Sequence, residues 1–225
     1  MKNNFLIIFL IFSYILLLDT VFAKEIEFDA SEIEISNDQN LTTANNGTAK
    51  IKDEEIIIEG VKIEYFKDKA LIIVNEGKIL KIDFNIEIKS EKIKYNLESG
   101  VINFDNKVLI DDKKNNLIIY SDEINYDVSN QKIFGNGKSE IIDEFNNKYE
   151  LSEFDYSIKD QLIKLSNTKV TDKSRNTFEL EIAYLDLNKK ELIAKDIGLD
   201  FKISENSENE PRLKGRSLIS DERNT

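Results

Sequence analysis

Two segments of closely similar pattern decide the fold, residues 58–65 (IEGVKIEY) and residues 88–95 (IKSEKIKY). Related segments end at residues 35, 126, 156 and 185, so six copies recur at intervals of 29 to 31 residues. Such a period over most of a chain is the signature of a repeat architecture. The six copies therefore predict one supersecondary unit repeated six times.

Each copy has the alternation of a β-strand with one buried face. Its last two apolar residues lie two positions apart, as Ile63 and Tyr65 do, and therefore share a face of the strand. Charged residues such as Lys62 and Glu64 occupy the other face. Turn-forming residues follow, as in 96–100 (NLESG), and a second apolar strand comes after them. Six strand–turn–strand units predict an all-β fold of about twelve strands.

The apolar residues within one copy are separated by an odd number of positions. Ile58 and Ile63 are five apart, and regular pleating would place them on opposite faces. We therefore expect a bulge or corner that returns the chain to the apolar face. In five copies the residue near the change is small: Ala30, Gly60, Ser90, Ser121 and Ser152.

The composition excludes several kinds of chemistry. The 225 residues contain no His and no Cys, which excludes a Ser-His-Asp triad, a thiolate nucleophile and an ordinary zinc site. The net charge of −12 argues against nucleic acid as a partner. We predict neither a catalytic residue, nor a metal site, nor a cofactor. Carboxylate chemistry stays open, because Asp and Glu act as acids and bases in glycan cleavage.

The chain divides into three parts. Residues 1–23 combine Lys2, an apolar run at 5–18 and the sequence Val21-Phe22-Ala23, which is typical of a cleaved signal peptide. An uncleaved anchor is the alternative for this segment. Residues 24–203 hold the repeats, and residues 204–225 are expected to form a polar linker and tail with no closing strand.

The apolar stripe predicts the candidate site. In the simplest interpretation it is only the core, since strands bury one face by default. A long array would also join the stripe into a continuous trough suited to apolar ligands such as acyl chains. The predicted groove residues are Ile33, Ile35, Ile63, Tyr65, Ile93, Tyr95, Ile124, Tyr126, Phe154 and Tyr156.

The period, the opening 28–33 (FDASEI) and the later tyrosine-bearing copies resemble the OstA-like periplasmic domain family over residues 24–203. This domain is shared by LptA, LptC and the N-terminal part of LptD. The resemblance implies an elongated, twisted β-jellyroll of antiparallel strands that carries the acyl chains of lipid A. The segment 211–216 (PRLKGR) is similar to the stretch that follows the jellyroll in LptD. Either a truncated LptD or a stand-alone LptA-like protein agrees with this pattern.

The resemblance also implies partners and a location. The partners would be lipopolysaccharide, other Lpt jellyrolls joined by strand augmentation and, for an LptD, an outer-membrane partner. The location would be the periplasm, at the outer membrane. Two other classes stay open from the residues alone, a repetitive β-solenoid and a carboxylate-based glycan enzyme. A jellyroll pairs its strands antiparallel, whereas a solenoid stacks equivalent strands in parallel.

Overall fold

The computed structural model describes residues 24–200 and 212–220, and the predicted signal peptide lies outside them. Thirteen strands make up nearly all of the described chain. They are β1 (Ile26–Ile35), β2 (Leu41–Ile51), β3 (Ile56–Phe66), β4 (Leu71–Lys81), β5 (Ile86–Asn96), β6 (Val101–Asp112), β7 (Leu117–Asp127), β8 (Lys132–Ile142), β9 (Lys148–Ser157), β10 (Leu162–Thr171), β11 (Thr177–Asp186), β12 (Glu191–Asp200) and β13 (Arg212–Ser220).

The strands form one sheet in which spatial order follows sequence order from β1 to β13. Every pairing is antiparallel, from β1 with β2 to β12 with β13. The all-β antiparallel prediction is therefore confirmed, and the parallel stacking of a solenoid is wrong. Residues 212–220 differ from expectation, because this part of the predicted tail forms a thirteenth strand paired with β12.

The sheet is folded over along a line of corners near the middle of the strands. The pairing of β2 with β3 omits Asn46 and Val61, and that of β4 with β5 omits Glu76 and Glu91. At β5–β6 and β6–β7 the register itself shifts, as a bulge requires. The predicted corners at Ser90 and Ser121 are confirmed. Equivalent corners recur about every 15 residues along the chain, one in each successive strand.

Alternate strands bend by means of a left-handed residue. β2, β4, β6 and β10 each contain a non-glycine residue with positive φ at the corner, namely Asn46, Glu76, Asn106 and Asn167. This conformation is unfavourable for residues with a Cβ, although Asn tolerates it better than most. The bend is therefore built into the backbone of these four strands as well as into the small residues of the odd-numbered ones.

The hairpin turns form two rows, which we call the lips of the folded sheet. The first lip comprises turns 52–55, 82–85, 113–116, 143–147 and 172–176, and the second comprises turns 36–40, 67–70, 97–100, 128–131, 158–161 and 187–190. Successive turns of a lip are bonded to one another. The Leu97 amide donates to the Ala70 carbonyl at 2.8 Å, and the Ile82 amide donates to the Glu55 carbonyl at 3.1 Å.

The two lips meet, which shows that the sheet closes on itself. Tyr95 stands nine positions after Ile86, a distance of about 30 Å in an extended strand. Its hydroxyl nevertheless donates to Glu54, which lies in a first-lip turn beside the start of β5. The fold is therefore a single sheet bent into two facing halves, as in an open β-jellyroll.

Candidate functional site

The ten predicted groove residues lie in two continuous rows across the inner face of the second-lip half. The first row runs through paired positions Ile33, Ala44, Ile63, Val74, Ile93, Phe104, Ile124, Gly135, Phe154, Leu165, Ala183 and Ala194. The second row runs through Ile35, Thr42, Tyr65, Ile72, Tyr95, Ile102, Tyr126, Ile133, Tyr156, Ile163, Leu185 and Leu192. The structure thus brings the whole predicted set together.

Burial differs along these rows. Seven of the ten residues are buried: Ile63, Ile93, Tyr95, Ile124, Tyr126, Phe154 and Tyr156. Tyr65 is half-buried. Ile33 and Ile35, at the β1 end, are 45% and 64% exposed although they face the same way as the others. The inner face is therefore covered in the middle of the sheet and open at β1.

The opposite wall is equally apolar. A third row on the first-lip half runs through Phe28, Ala49, Ile58, Ile79, Ile88, Ile110, Ile119, Ile141, Tyr149, Val170 and Phe178. These residues belong to the same core cluster as the first two rows. The predicted groove residues omit this wall, although the corner expected between Ile58 and Ile63 would place both residues on the inner face.

Gly135 is the one residue of the first row without a side chain, and the neighbouring Phe154 ring occupies the space above it. It occupies the place between Ile124 and Phe154 where every neighbour bears a side chain. A Cβ on Gly135 would lie 2.1 Å from Cε1 of Phe154, far inside van der Waals contact. The Phe154 ring therefore covers Gly135, and the row continues without a gap.

A line that we call the seam separates the two lips, and side chains bridge it. At Tyr95 the hydroxyl donates to Oε2 of Glu54, while Lys24 Nζ lies 2.5 Å from Oε1 of the same carboxylate. Burial first, and then the Glu54 carboxylate, raise the pKa of Tyr95 well above its ordinary value. This tyrosine therefore stays neutral and acts as a donor.

A second bridge between the lips lies four strands further along the sheet, where Tyr156 of β9 occupies the position that Tyr95 has in β5. The Tyr156 hydroxyl donates to Oδ2 of Asp112, and Asn115 Nδ2 donates to the same oxygen at 2.7 Å. Asp112 also accepts the Asn115 amide at 3.1 Å, which fixes the carboxylate on its turn. Burial, followed by Asp112, raises the pKa of Tyr156. The two bridges have the same chemistry, a neutral phenol bound to an acceptor held by the opposite lip.

Between these bridges, the Tyr126 hydroxyl is buried and has no hydrogen-bond partner. The first-lip turn opposite it carries Asp83, whose carboxylate is instead 2.8 Å from Nζ of Lys81. Burial and the nearby Asp83 charge raise the pKa of Tyr126. An unpaired buried hydroxyl costs free energy, so Tyr126 is a less favourable position than Tyr95 or Tyr156.

Charged side chains cover the outer face of the sheet. Lys78 contacts Glu59 at 3.1 Å and Glu87 at 3.2 Å, and Lys89 contacts Glu87 at 2.7 Å. Burial alone would raise the pKa of Glu87, but hydrogen bonds from Lys89 and Lys78 outweigh it and lower that pKa. Such cross-strand pairs stabilise the sheet and leave its apolar surface on the inside.

Carboxylate side chains are numerous in the described chain but do not gather into a metal-binding cluster. Within 24–200 and 212–220, no three metal-binding side chains converge. The pKa values of Asp38, Glu87 and Asp127 are lowered from their ordinary values. No helix in the described ranges is long and apolar enough to cross a membrane.

Comparisons with known proteins give one kind of match. No family model matches the sequence, and no curated protein does. Among solved structures, the chain is similar to the crystal structure of LptH, the LptA homologous periplasmic component of the conserved lipopolysaccharide transport device from Pseudomonas aeruginosa. The identity is 12%, the TM-score is 0.27, and the match covers 62% of this chain and 80% of that chain.

Proposed function

We propose that the protein is a non-catalytic carrier that holds the acyl chains of lipopolysaccharide between the two halves of its sheet. The observation that supports this most is the pair of unbroken apolar rows. They cross twelve strands without a charged side chain and are faced by a third row of the same character. A surface of this kind accommodates hydrocarbon chains and offers little to a polar ligand.

The energetics agree with a lipid cargo. Each methylene removed from water is worth about 0.8 kcal/mol, so several acyl chains need no charge pairing to be held. The middle of the interior is filled by the protein's own side chains, and a bound chain must part the walls there. Ile33 and Ile35 are the inner-row residues already exposed to a ligand.

The proposed partners are other jellyrolls of the same transport system. Within the described residues, β1 pairs only with β2, so its other edge offers free backbone groups for an added strand. β1 has four acidic residues and no basic one, whereas β13 has three basic residues and no acidic one. A basic edge such as that of β13 is therefore the complement that β1 would bind best.

The proposed location is the periplasm, at the outer membrane. It is supported by the signal-peptide pattern of residues 1–23. As the N-terminal region of an LptD, the chain would act beside an outer-membrane partner. As an LptA-like protein, it would act as one link of a bridge.

Photo-crosslinking with matched positions on one strand tests the proposal. A crosslinking amino acid at Ile33 or Ile35 faces the interior, and one at Glu32 or Glu34 faces outward from the same strand. All four positions are exposed, so the substitutions leave the core intact. We expect lipopolysaccharide adducts at the isoleucine positions and few at the glutamate positions.

Equal labelling at both pairs would contradict the assignment of the faces, and no labelling at either would contradict lipid carriage. The same comparison further into the sheet uses Ile63 or Tyr95 against Lys62 or Lys94. Adducts at Ile63 and Tyr95 would show that the lipid passes beyond the open end into the covered interior.

A further inference from the structure

The seam is the one line of the folded sheet that no backbone pairing crosses in the described chain. Each strand pairs only with its neighbours in sequence, and the pairings run along the sheet rather than between its lips. Elsewhere, parting the walls would break a ladder of backbone hydrogen bonds. At the seam, it breaks only side-chain contacts.

Two of those side-chain contacts are clusters around buried tyrosines, and a third is the more exposed ion pair between Lys190 Nζ and Oε1 of Glu144 at 3.2 Å. Tyr95 reaches Glu54, with Lys24 on the same carboxylate, and Tyr156 reaches Asp112, with Asn115 on the same carboxylate. Hydrogen bonds to charged acceptors are the stronger kind in proteins. Each of these two clusters therefore acts as a latch between the lips.

Tyr126, which lies between the two latches, does not bridge the lips. Tyr126 occupies the same row at the same burial, one hairpin from each latch tyrosine, but its hydroxyl has no partner. Asp83, the carboxylate opposite, is held by Lys81, whose Nζ also donates to the Glu54 carbonyl at 2.6 Å. The carboxylate that could have formed a third latch is thus engaged along its own lip.

We propose that the seam is a lateral gate to the interior, closed by the Tyr95 and Tyr156 latches and unlatched at Tyr126 between them. An acyl chain would enter sideways through this gate instead of threading from the β1 end. The gate rests on the proposed function, since it gives a route to the same interior. In addition, the Tyr95 and Tyr156 hydrogen-bond clusters would control the entry of acyl chains into the interior.

Three tyrosine-to-phenylalanine variants test the latches without a ligand. Each change removes one hydroxyl from an equivalent buried ring, which keeps the volume of the core. We expect Y95F to raise amide hydrogen exchange at 52–55, and Y156F to raise it at 113–116, by at least about tenfold each. Y126F is the matched control and should leave the exchange of 82–85 unchanged, since no bond is lost there.

A fluorescent fatty acid, dansyl-undecanoic acid, then tests the gate. We expect the Y95F/Y156F double variant to take up this probe at least about tenfold faster than the original protein, and Y126F to take it up at the original rate. Cysteines placed at Glu54 and Tyr95 and joined by a bis-maleimide should slow uptake, and a chain with no Cys of its own makes this labelling selective.

The outcomes separate the two proposals. Uptake at one rate by all variants would overturn the gate and leave lipid carriage standing. Probe binding by none of them would overturn lipid carriage. Unchanged exchange in Y95F and Y156F, or increased exchange in Y126F, would show that the tyrosines are not latches even if the probe binds.

Discussion

Buried tyrosines show how one residue type can serve different purposes at equivalent positions. Tyr95, Tyr126 and Tyr156 recur at intervals of 31 and 30 residues in one inner row. A fourth, Tyr149, lies in the opposite wall and donates to Asp143 on its own lip at 2.8 Å. All four rings contribute to the core, but only two of the hydroxyls tie the lips together.

These four tyrosines make the protein sensitive to alkali. Burial comes first among the causes that raise each pKa above the ordinary value of 10.0, so the folded state keeps protons that the unfolded state releases. Their contribution is intact below pH 10 and is lost as the pH rises further. Each tyrosine should lower the free energy of unfolding by about 1.4 kcal/mol per pH unit there.

Urea unfolding between pH 8 and pH 11.5 measures this loss. Y126F supplies the control, because it removes one of the four groups without removing a hydrogen bond. Its stability should fall less steeply above pH 10, by about 1.4 kcal/mol per unit. Identical slopes in the two proteins would show that Tyr126 ionises as readily in the folded state as in the unfolded one.

At the scale of the strand, the corner is the element that makes a folded sheet possible. A straight strand with the observed pattern would put Ile58 and Ile63 on opposite faces, whereas the corner returns both to the interior. Strands β2, β4, β6 and β10 achieve this with residues in the left-handed conformation, such as Glu76 at a φ of 50°. That conformation disfavours a residue with a Cβ.

Glu76→Gly should therefore stabilise the protein, by about 0.5–1 kcal/mol, because glycine adopts the left-handed conformation without strain. Glu91→Gly is the matched control. Glu91 lies opposite Glu76 at the same corner but is absent from the positive-φ residues, so glycine should destabilise there by a similar amount. Thermal unfolding of both variants measures the difference, and equal shifts in one direction would contradict the corner geometry.

The strands and their corners could largely be predicted from the sequence, because pleating has a strict period of two and any odd step must be absorbed. The corners of the even-numbered strands were missed, since Asn46 and Glu76 look like ordinary solvent-facing residues until φ is known. β13 was missed because its basic residues resemble a solvated tail, and pairing with β12 is a tertiary contact.

For the candidate site, the sequence could predict which residues share a strand face but not how exposed each residue is. Spacing places Ile35 and Tyr95 in one row, which the register supports, but exposure depends on what lies beyond the last strand. Ile35 is exposed since no strand precedes β1 in the described chain. The latches could not have been predicted, because Glu54 and Tyr95 are 41 residues apart and meet only after the sheet has folded.

At the scale of the whole molecule, the two edges of the sheet have opposite charge. The acidic β1 and the basic β13 predict that copies or related sheets associate head to tail, with the affinity falling as salt rises. Replacing Asp29 and Glu34 by Lys should weaken association most at low salt. Analytical ultracentrifugation between 20 and 500 mM NaCl measures it.

Glu123→Lys together with Glu153→Lys is the control for that experiment, since both residues lie away from the sheet edges on β7 and β9. It changes the net charge by the same amount as the edge variant. Equal loss of association in both variants would show that overall charge, and not the β1 edge, governs the contact.

The strict order from β1 to β13 also bears on how the chain reaches this structure. From β1 to β12, every strand pairs with a segment only a short turn away, so none of these strands must wait for a distant partner. Low contact order of this kind favours rapid formation, which is unusual for an all-β chain. A polypeptide emerging N-terminus first from a narrow pore could add one hairpin at a time to a finished edge, and each addition would present the template for the next.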